Sequence, residues 1–447
     1  MVLLSGKKYS TLKDILVTMN PSDIAAIFEE VEEERIPLLF RLLPKELAAE
    51  TFVEMEPELQ EMLIKGFSDS ELREVVQELY VDDAADLVEE MPANVVRRIL
   101  AQADPQMRKE INEILRYPEN SAGSIMTTEY VDLRKNMTVG EAITRIRRTG
   151  IDKETIYTCY VTENRKLVGL VSVKDLLLAL DDETKISEIM AGASNVISVN
   201  TMADQEEVAQ MLSKYNFLAL PVVDNDERLV GIVTFDDAMD VMEEEVTEDI
   251  EKMAAILPSD KTYLRSSPWD LFKHRIPWLL LLMVSATFTG MIITKFEDAL
   301  AAQVVLTAFI PMLMDTGGNS GSQSSVTVIR ALSLDELEFS DIAAVIWKEI
   351  RTAVLCGLAL ACACFAKVML VDRLILGNAE VTVFVAFVVC ATMALTVLVA
   401  KVIGCSLPMF AKKLGFDPAV MASPFITTIV DALSLLVYFG IASAALF

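Results

Sequence analysis

Residues 424–439 read PFITTIVDALSLLVYF, an apolar stretch that can cross a bilayer together with its flanks. Near its middle lies a single carboxylate, Asp431. A charged side chain at membrane depth is costly, so it usually lines a polar path or pairs with a partner. No Lys or Arg follows Asp417, so a partner must come from another helix, another subunit or a bound cation. We therefore interpret Asp431 first as part of a cation pathway.

The composition divides the chain into an acidic first part and an apolar second part. The 447 residues carry a net charge of −27, yet 53% of them are hydrophobic, and most of the acidic excess precedes Ile276. This predicts a soluble half followed by a membrane half. Such acidity argues against nucleic-acid binding and suits divalent cations, although acidity that only keeps the first half soluble is an equal alternative. The first residues, MVLLSGKKYS, have too short an apolar run for a signal peptide.

Residues 1–125 have the pattern of an all-α domain. Apolar residues recur at spacings of three and four, and prolines interrupt the pattern at positions 21, 44 and 92. The stretches PSDIAAIFEEV, PKELAAETFVEM and VDDAADLVEEMP are loose copies of one helical unit. They predict short helices stacked in a superhelix, with an ordinary helical bundle as the alternative.

Residues 126–245 contain two copies of one α+β pattern, at 126–187 and 188–245. Each copy has an extended apolar run, a helix, a hairpin and another helix, with Gly169 and Gly231 in equivalent places. This tandem resembles a pair of CBS domains. The resemblance implies either a regulatory site for an adenine nucleotide or a dimerisation module.

Residues 236–265 form an acidic connecting segment, and a helix is predicted over 236–255, DDAMDVMEEEVTEDIEKMAA. Five acidic residues share one face of that helix: Asp237, Asp240, Glu244, Glu248 and Glu251. Like charges at this spacing repel by a few tenths of a kcal/mol per pair. A bound hard cation would remove this repulsion, whereas the alternative is a solvated linker helix.

Residues 270–447 are predicted to form an all-α transmembrane domain with five helices. The candidate spans are about 277–294, 299–314 continuing into the following glycine-rich segment, 352–370, 381–410 and 418–446. Basic residues predominate on the flanks that would face the cytoplasm, which predicts cytoplasmic N-terminal domains and a C-terminus on the outer side. Lys367 and Lys401 fall within spans, where snorkelling is the expected explanation.

The second span contains FIPMLMDTGGNSGSQSS, in which Gly317 and Gly318 weaken a helix by roughly 1 kcal/mol each. In a membrane, glycines are tolerated where backbones approach closely or where a broken backbone lines a cavity. Asn319 adds an amide oxygen. We interpret Gly317, Gly318 and Asn319 as lining a hydrated cation path, with tight helix packing as the alternative.

Two motifs, GGNSGSQ at 317–323 and FDPAVMASPFITTIVDALSLLVYF at 416–439, together with the order of domains, resemble the MgtE family of magnesium transporters and channels. The resemblance covers the whole chain. It implies a homodimer in the plasma (inner) membrane with one pore between subunits, Asp431 at the central ion site and Asn319 nearby. It also implies that the connecting helix, called the plug in this family, closes the cytoplasmic mouth when Mg²⁺ binds between the soluble domains.

The resemblance assigns regulatory metal binding to acidic residues of three regions. These are Asp240 and Glu248 in the connecting helix, Asp417 at the inner mouth, and Asp82 and Asp86 in VDDAADL. Glu244 and Glu251 are added from the shared helical face. Asp315, beside GGN, receives no role from the sequence.

The sequence therefore predicts a magnesium-selective channel for Mg²⁺ uptake that cytoplasmic Mg²⁺ closes, and not an enzyme. One alternative is a secondary transporter coupled to Na⁺ or H⁺. Another is a membrane-anchored regulatory or enzymatic protein that senses a nucleotide, but the sequence has no Walker loop or metal-hydrolase motif to support it.

Overall fold

The computed structural model describes residues 8–192, 196–259, 263, 266–297 and 303–446. The chain divides into two compact units, Met1–Glu243 and Glu244–Phe447. Residues 299–302 of the second predicted span lie outside the described residues, as do 260–262, 264 and 265 of the connecting segment.

The first unit begins with short helices that pack around one apolar core. They are α1 Tyr9–Leu16, α2 Pro21–Glu29, α3 Ile36–Phe40, α4 Lys45–Val53, α5 Pro57–Gly66, α6 Asp69–Val76, α7 Val81–Glu90, α8 Ala93–Gln102 and α9 Pro105–Ile114. Three helices begin at or just after the predicted proline breaks, and the Asn20 side chain caps α2 by accepting from the Ser22 amide at 3.2 Å. Many of the helices pack against the helix two places further along, which is the pattern of a superhelix.

The CBS pair forms two small sheets in the same unit. The first copy contains β1 Asp132–Arg134, α10 Val139–Thr149, β2 Thr158–Glu163, β3 Lys166–Ser172, α11 Val173–Leu178, α12 Ile186–Ile189 and β4 Ala191–Gly192. The second contains β5 Val199–Asn200, α13 Gln205–Tyr215, β6 Ala219–Val223 and β7 Leu229–Thr234. In each copy a parallel pair, β1–β2 or β5–β6, precedes an antiparallel hairpin, β2–β3 or β6–β7.

The connecting helix, α14, spans Phe235–Met253 and follows β7 directly. It continues without interruption for 19 residues, so its first turns belong to the first unit and its last turns to the second. Its acidic side chains are therefore distributed between two environments, which are considered separately below.

The described part of the second unit contains five long helices. They are α15 Pro268–Lys295, α16 Ile310–Ser333, α17 Ile342–Lys367, α18 Val383–Lys413 and α19 Ser423–Leu446. Within the described residues, four segments are long and apolar enough to cross a membrane, and they contain α15, α17, α18 and α19. The exception is α16, which carries the GGNSGSQ motif and its polar side chains. The predicted fold class, with helical, CBS and membrane parts, is confirmed.

Two of the predicted spans differ from the observed helices. The GGN segment is not broken, because α16 is a regular helix through all its glycines. α17 begins at Ile342, ten residues before the predicted span. Hydropathy identified only the apolar part of this helix, whereas its first turns contain Lys348, Glu349 and Arg351 and are still helical.

Candidate metal-binding and conduction sites

Three carboxylates of the first unit converge where the helical domain meets the first CBS copy. Asp82 lies in the first turn of α7, Glu129 precedes β1, and Glu154 follows α10. One carboxylate oxygen from each residue lies within 4.8 Å of those of the other two. We call these residues the acidic cluster. They are far apart in sequence, and the packing of the two domains brings them together.

Each residue of the acidic cluster has a buried oxygen that no donor satisfies. Among the described residues, the buried atoms without a hydrogen-bond partner include Asp82 Oδ1, Glu129 Oε2 and Glu154 Oε2. Asp82 is only 7% exposed. Burial raises the pKa of Asp82 well above its usual range, and Asp237 and Asp83 raise it further. Burial also raises the pKa of Glu129 to about 7, against the effect of Lys153, and burial raises the pKa of Glu154 to about 8.

Further acids surround the cluster. Burial, followed by the charge of Asp237, raises the pKa of the Asp83 carboxyl to about 7. Asp237, in the first turn of α14, accepts a hydrogen bond from the Thr234 hydroxyl. The predicted ligands Asp86 and Asp240 are exposed nearby, with Asp237 a charged neighbour of Asp86 and Glu54 one of Asp240. The structure therefore gathers Asp82, Asp86 and Asp240 into one acidic region.

The donors of the acidic cluster fit a hard divalent cation. All three are carboxylates, which are the oxygen ligands that Mg²⁺ prefers, and each has an oxygen with no donor facing it. A cation would offset the like charges that raise these pKa values. Because Asp82 belongs to the helical domain and the two glutamates to the CBS pair, a shared cation would join the two domains.

In the second unit, the end of α14 lies beside Asp417, at the place that the sequence predicts as the inner mouth. Lys252 Nζ lies 2.5 Å from Glu248 Oε1 and 2.7 Å from Asp417 Oδ2, so it bridges the two carboxylates. The other oxygen of Asp417 accepts from the Ala419 amide at 2.7 Å and begins the short helix Pro418–Met421. Glu248 and Asp417, both predicted metal ligands, are thus brought together by a lysine.

The other acidic residues of this half of α14 have separate environments. Asp249, which was not predicted, accepts from the Ser333 hydroxyl at 3.2 Å. Glu251 accepts from the Ser259 amide at 3.0 Å and so holds the turn that follows α14. Glu244 is exposed. The predicted single acidic face is therefore divided among a domain junction, the surroundings of Asp417 and a helix end.

A polar stripe follows one face of α16. Its members are spaced by four residues, and all are exposed in the isolated chain: Asp315, Asn319, Gln323 and Thr327. Asn319 Nδ2 donates to Asp315 Oδ1 at 3.2 Å, which gives Asp315 a partner that the sequence did not suggest. Asp431 of α19 is half-buried, and the negative charge of Asp315 repels its carboxylate. Asn319, Asp315 and Asp431 therefore belong to one region of the second unit.

Gly317 and Gly318 lie on the opposite, buried face of α16. A Cβ on Gly317 would lie 2.7 Å from Thr396 Cγ2 of α18 and 2.8 Å from Ser434 Oγ of α19. A Cβ on Gly318 would lie 2.9 Å from Thr427 Cγ2. These positions match the tight-packing alternative, since the glycines let three helices approach closely while the stripe points away from the contact.

Lys401 forms a buried ion pair, so the expected snorkelling is wrong for this residue. Its Nζ lies 3.7 Å from Glu349 Oε2 and donates to Ser324 Oγ at 3.2 Å, and the Ser324 hydroxyl donates to Glu349 at 2.6 Å. Lys401 is 5% exposed. A snorkelling lysine extends its ammonium to the membrane interface. Lys401 instead finds a hydroxyl from α16 and a carboxylate from α17 within reach.

The candidate site residues that sequence reasoning missed are Glu129, Glu154, Asp315 and Lys252, and it also missed the pairing of Lys401 with Glu349. The four-residue spacing of Asp315 and Asn319 was available as a signal, but it requires a continuous helix through the glycines. The spacing of Glu248 and Lys252 was also visible. Glu129 and Glu154 carried no local signal, because only the domain packing brings them to Asp82.

Models of three protein families match this chain. The model of MgtE, a divalent cation transporter, matches residues 310–441, and that of the MgtE intracellular N domain matches residues 19–120. The CBS domain model matches residues 122–182 and 186–244. Together these ranges include the polar stripe, the acidic cluster and the first turns of α14.

Curated relatives and solved structures agree with the family models. The magnesium transporter MgtE of Thermus thermophilus is 38% identical over 96% of this chain and 94% of its own length. MgtE of Bacillus subtilis is 34% identical over 99% of this chain and 96% of its own length. A crystal structure of the cytosolic domain of the Mg²⁺ channel MgtE in complex with ATP is 40% identical, with a TM-score of 0.51, and covers 53% of this chain and 96% of that chain.

Proposed function

We propose that this chain, which belongs to the MgtE family of divalent cation transporters, is a channel for Mg²⁺ uptake that cytoplasmic Mg²⁺ closes. The family is one of transporters and not of enzymes, as the sequence predicted. The observation that carries the regulatory part is the acidic cluster, in which Asp82, Glu129 and Glu154 offer buried oxygens without donors. A Mg²⁺ ion held there would neutralise charges that otherwise oppose the packing of the helical domain on the CBS pair.

The conduction path is proposed to run along the polar stripe and past Asp431. A membrane-spanning helix with exposed carboxylate and amide groups must face water or another protein surface, because lipid cannot satisfy them. A homodimer would satisfy this requirement if two stripes faced one water-filled pore. Two copies of Asp431 would then match the charge of one Mg²⁺ ion, which keeps much of its hydration shell.

We propose a plasma-membrane location, with the first unit in the cytoplasm and the C-terminus outside. The basic flanks Lys273, Arg275, Lys412 and Lys413 support this orientation. We also propose an adenine nucleotide site in the CBS pair, since the cytosolic domain that was crystallised with ATP is 40% identical. Titration of full-length protein with a fluorescent ATP analogue should saturate and reverse with ATP, and a signal that ATP does not displace would contradict nucleotide binding.

Voltage clamp on the purified chain in planar bilayers tests conduction and closure together. We expect unitary Mg²⁺ currents that disappear as cytoplasmic Mg²⁺ rises to the millimolar range. Asp431→Asn keeps the shape of the side chain and removes its charge, so it should abolish the current while the protein elutes from size-exclusion chromatography like the parent. Mg²⁺ uptake that requires a Na⁺ or H⁺ gradient, without unitary currents, would instead indicate a secondary transporter.

A further inference from the structure

Lys252, near the end of α14, lies between two carboxylates that are proposed to bind Mg²⁺. Its Nζ is 2.5 Å from Glu248 Oε1 and 2.7 Å from Asp417 Oδ2. The lysine side chain is 23% exposed, and the two carboxylates are 35% and 34% exposed. Lys252 therefore holds the carboxylates together with a cation that belongs to the chain itself.

The contacts around Lys252 anchor the end of α14 at the inner mouth. Met253, the next residue, packs against Ile329 of α16 and against Ala419 and Ala422. The Ser333 hydroxyl holds Asp249 at 3.2 Å. Asp249 also lies in the field of Asp417, Lys252 and Glu248, so three carboxylates and one ammonium share this place.

An ammonium and a divalent cation cannot both bridge Glu248 and Asp417. Mg²⁺ bonds to oxygen at about 2.1 Å and would need the space and the oxygens that Nζ now uses. A divalent ion must therefore break both ion pairs of Lys252 before it can bridge the same two carboxylates. In the acidic cluster, by contrast, three carboxylate oxygens have no donor to displace.

We infer that Lys252 is a tethered competitor that sets the divalent-cation concentration at which Glu248 and Asp417 bind metal. The lysine occupies the two carboxylates when divalent cations are scarce, and metal replaces it only at higher concentration. This inference rests on the proposed function, because it concerns a regulatory site at the mouth of the proposed channel.

Binding of Mn²⁺ to the full-length protein in detergent tests the competition directly. The signal of free Mn²⁺ in electron paramagnetic resonance is measured during titration, for the parent and for Lys252→Met, which keeps the length of the side chain and loses its charge. We expect one site per protomer in Lys252→Met to bind about tenfold more tightly than in the parent, as two partly exposed ion pairs no longer compete. Added Mg²⁺ should displace that Mn²⁺.

Three further variants locate the effect. Lys252→Arg should bind Mn²⁺ like the parent, because it keeps the charge. Lys412→Met should also match the parent, since Lys412 pairs with Asp335 at 3.2 Å and does not touch Glu248 or Asp417. The double variant Lys252→Met/Asp417→Asn should lose the added affinity, which would place it at this mouth.

The outcomes separate the inference from the proposed function. Equal Mn²⁺ binding by Lys252→Met and the parent at every concentration would overturn the role of Lys252, whatever the currents show. Added affinity that persists in the double variant would overturn it as well. Parent currents that cytoplasmic Mg²⁺ does not reduce would overturn the proposed closure and leave the binding result intact.

Discussion

The acidic cluster and the predicted inner mouth are both built from carboxylates, but only at the mouth does a lysine bridge two of them in the described structure. At the mouth, Lys252 lies within 2.7 Å of both Glu248 and Asp417. In the cluster, Asp82, Glu129 and Glu154 face one another, and burial and like charges raise their pKa values. An acidic residue therefore indicates a metal ligand only where no basic side chain already bridges it. On the proposed function, an external cation would neutralise the cluster, whereas Lys252 already neutralises part of the charge at the mouth.

The largest expected effect comes from neutralising the cluster. Asp82→Asn, Glu129→Gln and Glu154→Gln together remove the repulsion that Mg²⁺ would offset, so apo and bound states should differ little. We expect the cytoplasmic Mg²⁺ concentration that halves the current to rise by about 10- to 100-fold. The matched control, Glu163→Gln, changes a glutamate of the first CBS copy that pairs with Lys135 outside the cluster. Full Mg²⁺ closure in the triple variant would contradict the comparison.

A buried lysine and its carboxylate provide the next test. Lys401→Met leaves Glu349, whose side chain is 16% exposed, without its cation, which should cost up to about 3–5 kcal/mol. The control Lys367→Met breaks the more exposed pair with Asp372, which should cost no more than about 1 kcal/mol. The temperature at which half of the protein remains monodisperse in detergent measures the difference. Equal losses in the two variants would show that the burial of Lys401 has no energetic consequence.

Acidification should have the same effect on the cluster as a bound cation. The folded-state pKa values of Asp83, at about 7, and Glu154, at about 8, are raised above their ordinary values near 4. A raised carboxyl pKa means that the folded state binds more protons, so its stability falls as pH rises from about 4 to 8. Without Mg²⁺, amides of α7 should therefore exchange more slowly at pH 6 than at pH 8 after correction for intrinsic rates.

The same experiment contains its own control. Mg²⁺ needs deprotonated ligands, so its protection of α7 should be larger at pH 8 than at pH 6. Helix α2, which lies in the helical domain away from the cluster, should show no such difference. Faster corrected exchange of α7 at pH 6 would contradict the assigned direction of the shifts.

The smallest effect is expected at the mouth. In Glu248→Gln/Asp417→Asn the carboxylates that would bind metal are gone, but Lys252 already neutralises part of their charge in the parent. The Mg²⁺ concentration for half-closure in bilayer recordings should change by less than about threefold, because partly exposed ion pairs contribute little free energy. A shift as large as that of the cluster variant would mean that metal, rather than lysine, normally bridges the mouth.

Local patterns in the sequence were sufficient for the parts of the fold that depend on local signals. Proline breaks marked the starts of α2, α4 and α8, and the repeated strand and helix pattern predicted the CBS pair. The lone carboxylate of the last span pointed to Asp431. The GGN segment was harder, because glycine weakens an isolated helix, whereas the close approach of α18 and α19 favours glycine at Gly317 and Gly318.

The sites depended on contacts that no local pattern contains. Glu129 and Glu154 meet Asp82 only because the helical domain packs on the CBS pair. Lys401, Ser324 and Glu349 belong to three different helices, so a hydropathy profile shows each only as a polar residue and not as part of a contact. At the end of α14, the four-residue spacing of Glu248 and Lys252 was visible but was not used, and no local signal pointed to Asp417 as the second partner of the lysine.

The pairing of buried Lys401 also bears on the charge along the proposed conduction path. Lys401 with Glu349, and Lys367 with Asp372, remove positive and negative charge in equal amounts from the described helices. Within two turns of Asn319 along α16, the charge that remains is that of Asp315, with Asp431 beside it. On the proposed conduction path these two carboxylates would make the potential negative, and the energy of an ion in a given potential is proportional to its valence. A divalent ion would then gain twice what a monovalent ion gains, and residues that never meet the ion would contribute to that discrimination.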